Sequence, residues 1–157
     1  MKTYIGTKVL KATPMNRQEY NDYRGWNLPA NENGADEGML VEYIDGGKPN
    51  DSRHTGYISW SPTDVFNNAY MEIGDNNTIT EETVNSFIKS YDVVRYGDKT
   101  TVVHARLANG FLVTESSSCV DPANFSMEIG SEICKKRIRN KVWELLGFVL
   151  QCGQRKE

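Results

Sequence analysis

The sequence holds little histidine and little cysteine, and it has no long apolar run. There are two histidines, His54 and His104, and three cysteines, Cys119, Cys134 and Cys152. Neither histidine has a carboxylate or cysteine at metal-ligand spacing, so no metal site is expected. An odd cysteine count with no Cys-x-x-Cys pair argues against a disulfide framework and suits a reducing cytoplasm. No apolar run approaches the ~20 residues of a membrane helix. The start, Met1-Lys2-Thr3-Tyr4-Ile5-Gly6, lacks the apolar segment of a signal peptide. The Gly-x-x-x-x-Gly-Lys and Gly-x-Ser-x-Gly patterns are also missing, as is any internal repeat. A non-enzymatic protein without a cofactor or a membrane partner is the expectation. His54 then reads as a solvated loop residue, His104 as a packed or surface residue, and Cys119 as a packing residue.

What is present is a low apolar content, 38%, and charge that is unevenly spread. Residues 1–77 hold seven Lys/Arg against eleven Asp/Glu, whereas residues 78–157 hold eleven against ten. The acidic first half argues against nucleic acid as a partner. The second half keeps one dense basic run, Lys135-Lys136-Arg137-Ile138-Arg139-Asn140-Lys141. Lys135 and Arg139 are four apart, as are Arg137 and Lys141, so they form adjacent helical stripes. Arg suits bidentate phosphate contacts and Lys a point charge; a solvated helix face is the plainer alternative.

Turn and cap signals divide the chain into an α+β pattern of small antiparallel hairpins packed with helices. Tyr4–Ala12 reads as a strand, and Asn16-Arg17-Gln18-Glu19 as a capping box opening a helix to Arg24. Met39–Ile44 and Tyr57–Trp60 read as strands. Ser61-Pro62-Thr63-Asp64 reads as a helix start with Ser61 as cap. Gly74-Asp75-Asn76-Asn77 marks a boundary between residues 1–74 and 75–157. Thr78-Ile79-Thr80-Glu81 reads as a second capping box, for a helix to about Tyr91, with Val93–Tyr96 a short strand. Thr100–Leu107 alternates as a strand, Asn109-Gly110 signals a two-residue hairpin, and Phe111–Thr114 returns. A long last helix is expected from Asp121-Pro122, with Phe125, Ile129, Ile133, Val142, Leu145 and Val149 as its apolar stripe.

Two further ligand sites are candidates. Ser116, Ser117 and Ser118, ahead of Asp121-Pro122, gather hydroxyls near a helix start, with Asn124 and Phe125 next to them. Arg24, beside Trp26, can stack on a base or clamp a phosphate, or serve only as a structural cation–π pair.

Residues 78–150 carry Asn109-Gly110-Phe111, Cys119-Val120, Pro122, Asn124-Phe125, Glu128-Ile129-Gly130, Ile133, Lys141, Trp143, Leu145 and Gly147. This signature resembles a phage protein family that looks related to the first-described sponge proteins acting against Thoeris immunity. At Glu115-Ser116-Ser117-Ser118 the chain departs from the family, which more often reads Gly-Glu-Ser-Ala there. Residues 3–70, with Tyr23-Arg24-Gly25-Trp26 and Gly56-Tyr57-Ile58-Ser59-Trp60-Ser61-Pro62, resemble a separate phage accessory module. The resemblance implies a phage anti-defence protein of the host cytoplasm. It implies binding of a cyclic nucleotide signal, a cyclic ADP-ribose isomer or cyclic oligonucleotide, without cleavage. It also implies a homo-oligomer, from a dimer to a hexamer, with pockets between subunits. Arg106, Phe111, Asn124, Lys135, Arg139, Lys141 and Arg24 are the candidate ligand contacts. Inhibition of a host defence component by direct protein binding, and degradation of the same nucleotides, are the alternatives.

Overall fold

A computed structural model describes residues 1–74 and 77–154. It is an α+β fold with two three-stranded antiparallel sheets, helices packed on them and a long C-terminal helix. The chain forms two units, Met1–Met71 with Cys152–Glu157, and Glu72–Gln151. Asp75 and Asn76, in the expected boundary segment, lie outside the described residues. No helix among the described residues is long and apolar enough to cross a membrane.

In the first unit, β1 (Lys11–Pro14), β2 (Gly38–Tyr43) and β3 (Tyr57–Pro62) form a sheet in that order. The expected strand at Tyr4–Ala12 is displaced. Lys11 pairs with Glu42, one residue from the end of β2, so residues further upstream have no ladder to join. Tyr4 and Ile5 are accordingly exposed. Helix α1 (Arg17–Arg24) has the expected capping box, Asn16 with Glu19, and ends at Gly25 in the left-handed region. It buries Tyr20 against Leu40 and Ile58. Ser61 does not cap the next helix, because Ser61 and Pro62 remain in the ladder with Met39 and Gly38. Helix α2 (Thr63–Ala69) therefore starts after Pro62 without a side-chain cap.

In the second unit, the cap is Thr80, which exchanges hydrogen bonds with Thr83, rather than Thr78 with Glu81. Helix α3 (Glu81–Phe87) stops four residues short of Tyr91, and β4 (Ile88–Tyr96) takes over. Cross-strand pairing decides this: Tyr91, Val93 and Arg95 face Ala105, Val103 and Thr101 of β5 (Thr100–Leu107). On β5, Thr101, Val103, Ala105 and Leu107 are buried while their neighbours are not, as alternation requires. The hairpin to β6 (Leu112–Ser118) forms with a longer loop than expected. Gly110 N–H bonds to Leu107 O, Leu107 N–H bonds to Phe111 O, and only Gly110 has positive φ there. This is a three-residue loop, with Gly at the left-handed position. Ser116, Ser117 and Ser118 are strand residues opposite Val102, Thr101 and Thr100.

Asp121 caps a single 3₁₀ turn, Pro122–Asn124, not the long helix. Phe125 is extended, and α4 (Met127–Gly153) begins after Ser126, whose Oγ and carbonyl accept from Ile129 and Gly130 N–H. The buried stripe of α4 also differs from the expected one. It is Gly130, Cys134, Ile138, Val142 and Leu146, spaced by four, whereas Ile129, Ile133, Leu145 and Val149 are exposed. Cys134, Ile138, Val142 and Leu146 form one core with Val84, Val103, Ala105, Leu107 and Val113.

Ile138→Ala is thus expected to destabilise the protein by about 2–5 kcal/mol, while Ile129→Ala should stay within about 0.5 kcal/mol. Urea unfolding of both variants checks this; equal costs would contradict the stripe.

Candidate functional site

The buried stripe of α4 splits the basic run into separate directions. On one flank, Lys135 Nζ is 3.0 Å from Glu132 and 5.8 Å from the Tyr91 ring centroid. Arg139, one turn on from Lys135, is half-buried. On the other flank, Arg137 donates to Ser116 O at 2.9 Å and Lys141 pairs with Glu115. Lys136 is exposed. The five charges do not make one patch. Arg106 shares a sheet face with His104, which bonds Thr114 Oγ1 at 2.9 Å. That face is opposite the one α4 covers, because the core residues of β5 alternate with Arg106 and His104. The basic helix therefore does not close a pocket over Arg106 within the chain.

Strand β6 and helix α4 run antiparallel, and a concavity forms at each end of their contact. Near the hairpin, an open groove of about 560 Å³ is lined by Phe111–Thr114 from the strand side and by Lys141, Glu144, Leu145 and Phe148 from the helix. It brings together two of the candidate residues, Phe111 and Lys141. Phe111 is 57% exposed and Phe148 68%, so two aromatic rings stand free beside a lysine. Rings of this kind offer stacking area, and the lysine a point charge.

At the other end lies a cleft of about 140 Å³, which takes Asn124. Ser117, Ser118 and Cys119 line it from the end of β6, Lys99 and Thr101 from the start of β5 and the residue before it, and Ser126 and Gly130 from the start of α4 and the residue before it. Thr101 is fully buried and its Oγ1 has no hydrogen-bond partner among the described residues. Leaving a buried hydroxyl unpaired costs about 1–3 kcal/mol. Helix and sheet approach closely here: a Cβ at Gly130 would come 2.4 Å from Thr101 Oγ1. Phe125, expected in the helical stripe, instead half-buries its ring at this cleft, 4.4 Å below the Arg95 guanidinium. Asn124 and the Phe111–Lys141 pair thus occupy different sites.

The first unit contains a constellation that the sequence did not signal. His54 is not a solvated loop residue: its Nδ1 lies 3.1 Å from Glu42 and its Nε2 2.8 Å from the Tyr23 hydroxyl. Glu42 also accepts from the N–H groups of Thr55 and Gly56. An ionised carboxylate only accepts, so Nδ1 carries a proton, and in the neutral ring Nε2 accepts from Tyr23. Glu42, His54 and Tyr23 come from β2, a loop and α1, and no fixed spacing announces such a group. Arg24 is built into the neighbouring network. It stacks on Trp26 at 4.3 Å, donates to Tyr20 Oη and Asn50 O, and lies 3.9 Å from Asp51. Its side chain is 9% exposed.

The bond to His54, backed by the Gly56 N–H, holds the Glu42 carboxyl down to about 2, from an ordinary 4.5. A depressed carboxylate contributes stability that is present above its unfolded value and lost as pH falls through its folded one. The stability difference between the native chain and Glu42→Gln should be constant above about pH 4.5 and shrink as pH falls towards about 2. Urea unfolding across that range measures it; a pH-independent difference would contradict the network.

Comparison with curated proteins and with solved structures gives no match. Residues 79–153 match the model of the phage protein (N4 Gp49/phage Sf6 gene 66) family. Both concavities on α4 fall inside the matched stretch, and over that stretch the chain is similar to this phage protein family.

Proposed function

We propose that the protein is a phage anti-defence factor that binds a cyclic nucleotide immune signal and holds it without cleaving it. The observation that carries this reading is the groove at Phe111, Lys141 and Phe148. Its volume lies within the ~300–1,000 Å³ range of small-molecule sites. It combines exposed aromatic rings for a base with a lysine for a phosphate. Lys141 already pairs with Glu115, so a phosphate binds there in competition with that carboxylate. Arg106, Asn124, Lys135, Arg139 and Arg24 lie outside the groove, and we assign them no part in it within one chain. The phage family match supports the setting but names no ligand.

The exposed Leu145, Phe148 and Val149 beside the groove support self-association, with a second copy closing the open side. Sedimentation at micromolar concentration is expected to show a dimer or larger assembly; a monomer would count against closure by a second copy.

Incubating the protein with a cyclic ADP-ribose isomer, heating it and analysing what is released tests the central claim. Intact ligand is expected. Altered ligand would make the protein an enzyme, and no retention would remove the reading. Lys141→Ala should weaken retention about tenfold or more, since a charge-assisted contact contributes about 1.5–3 kcal/mol. Phe111→Ala should weaken it through lost stacking.

A further inference from the structure

We propose that the cleft at the start of α4 is a second site, independent of the groove, that binds a phosphate-sized oxyanion. Its lining is one-sided in chemistry. Lys99 is the single charged side chain on it among the described residues, and no carboxylate lines it. Ser117, Ser118, Ser126 and Asn124 add hydroxyl and amide donors. Glu128, in the first turn of the helix, is exposed and does not line the cleft, and Asp121 is turned to cap Ala123 N–H at 2.9 Å. The Arg95 guanidinium, stacked on Phe125, adds a second positive charge beside the cleft.

The cleft also sits at the first turn of a 27-residue helix. The N-terminal end of such a helix carries about half a positive elementary charge and free N–H groups, a natural place for an anion. Ser126 satisfies the N–H groups of Ile129 and Gly130. Among the described residues, nothing accepts from those of Met127 or Glu128.

The helix end alone would not define a site. Thr101 supplies the independent observation: a fully buried hydroxyl lining the same cleft, without any partner among the described residues. A valine there would fill the same space with no orphaned oxygen, so the hydroxyl calls for a ligand acceptor. The cleft volume, about 140 Å³, corresponds to about four or five waters. That admits a tetrahedral oxyanion with a little water, and excludes a whole nucleotide. The bound group is therefore free phosphate or the terminal phosphate of a larger molecule projecting outward.

Titration of inorganic phosphate into the isotope-labelled full chain, followed by amide NMR, is the test. Saturable shifts are expected at Thr101, Asn124 and Gly130. Thr101→Val should weaken phosphate binding about tenfold without lowering Tm in phosphate-free buffer, because it removes an unpaired hydroxyl. Lys99→Gln should weaken binding and reduce its salt dependence. Arg137→Ala and Phe111→Ala, both outside the cleft, should bind phosphate as the native chain does, which separates this site from the groove. A nucleoside 5′-monophosphate that displaces phosphate would identify a terminal phosphate as an accepted ligand; failure to displace it would restrict the site to the free ion. Absence of saturable shifts at millimolar phosphate, or unchanged affinity in Thr101→Val, would overturn the proposal.

Discussion

The second unit depends on one contact: the four-residue stripe of α4 seated on the alternate residues of β5. Cys134, Ile138, Val142 and Leu146 share a core with Val103, Ala105 and Leu107. Two periodicities, 3.6 and 2, meet there, and each fixes what the other elements can present. Because the stripe is buried, the charges between its members must leave sideways, Lys135 to the β4 side and Arg137 and Lys141 to the β6 side. Because β5 buries its odd-numbered residues, Arg106 and His104 face away from the helix. The same seating opens a cleft where the helix begins and a groove where the hairpin ends.

The first unit is organised differently. Its buried apolar cluster is small, built on Tyr20, Leu40 and Ile58, and polar networks hold its long loop. Glu42 and His54 pin residues 54–56 to β2. Asp51 accepts three bonds from Arg53, two from the guanidinium and one from the N–H, and lies near Arg24, and the Arg53 bonds hold its carboxyl well below the usual range. Asn50 closes the same loop by exchanging bonds with the backbone of Ile58. Such groups are costly to leave half-paired. Here the side chains that look available for ligands, Arg24 above all, are occupied in holding the fold.

Local signals are legible where the backbone itself decides. The Asn16–Glu19 box and the alternation of Thr100–Leu107 form as their residues suggest, and the hairpin at Gly110 forms with a loop one residue longer than its sequence suggests. Signals fail where a distant partner decides. Lys89-Ser90-Tyr91 continues a helical pattern, yet pairing with β5 draws it into a strand. The apolar stripe misleads because α4 carries aliphatic residues on more than one side; Ile129 and Ile138 are alike in sequence, and only the sheet tells them apart. The Glu42–His54–Tyr23 group and the orphaned Thr101 hydroxyl join residues far apart in the chain. No spacing rule reaches them.

The division of α4 into a buried stripe and two solvent flanks has an evolutionary consequence. Stability is written on every fourth residue, and most of the residues between face solvent. Exposed substitutions away from structural features usually shift stability by no more than about 0.5 kcal/mol. Positions such as Lys136, Asn140 and Glu144 can therefore drift at little cost, changing the charge and reach of the exposed flank while the fold persists. The helix is thus a surface that can be rewritten one residue at a time.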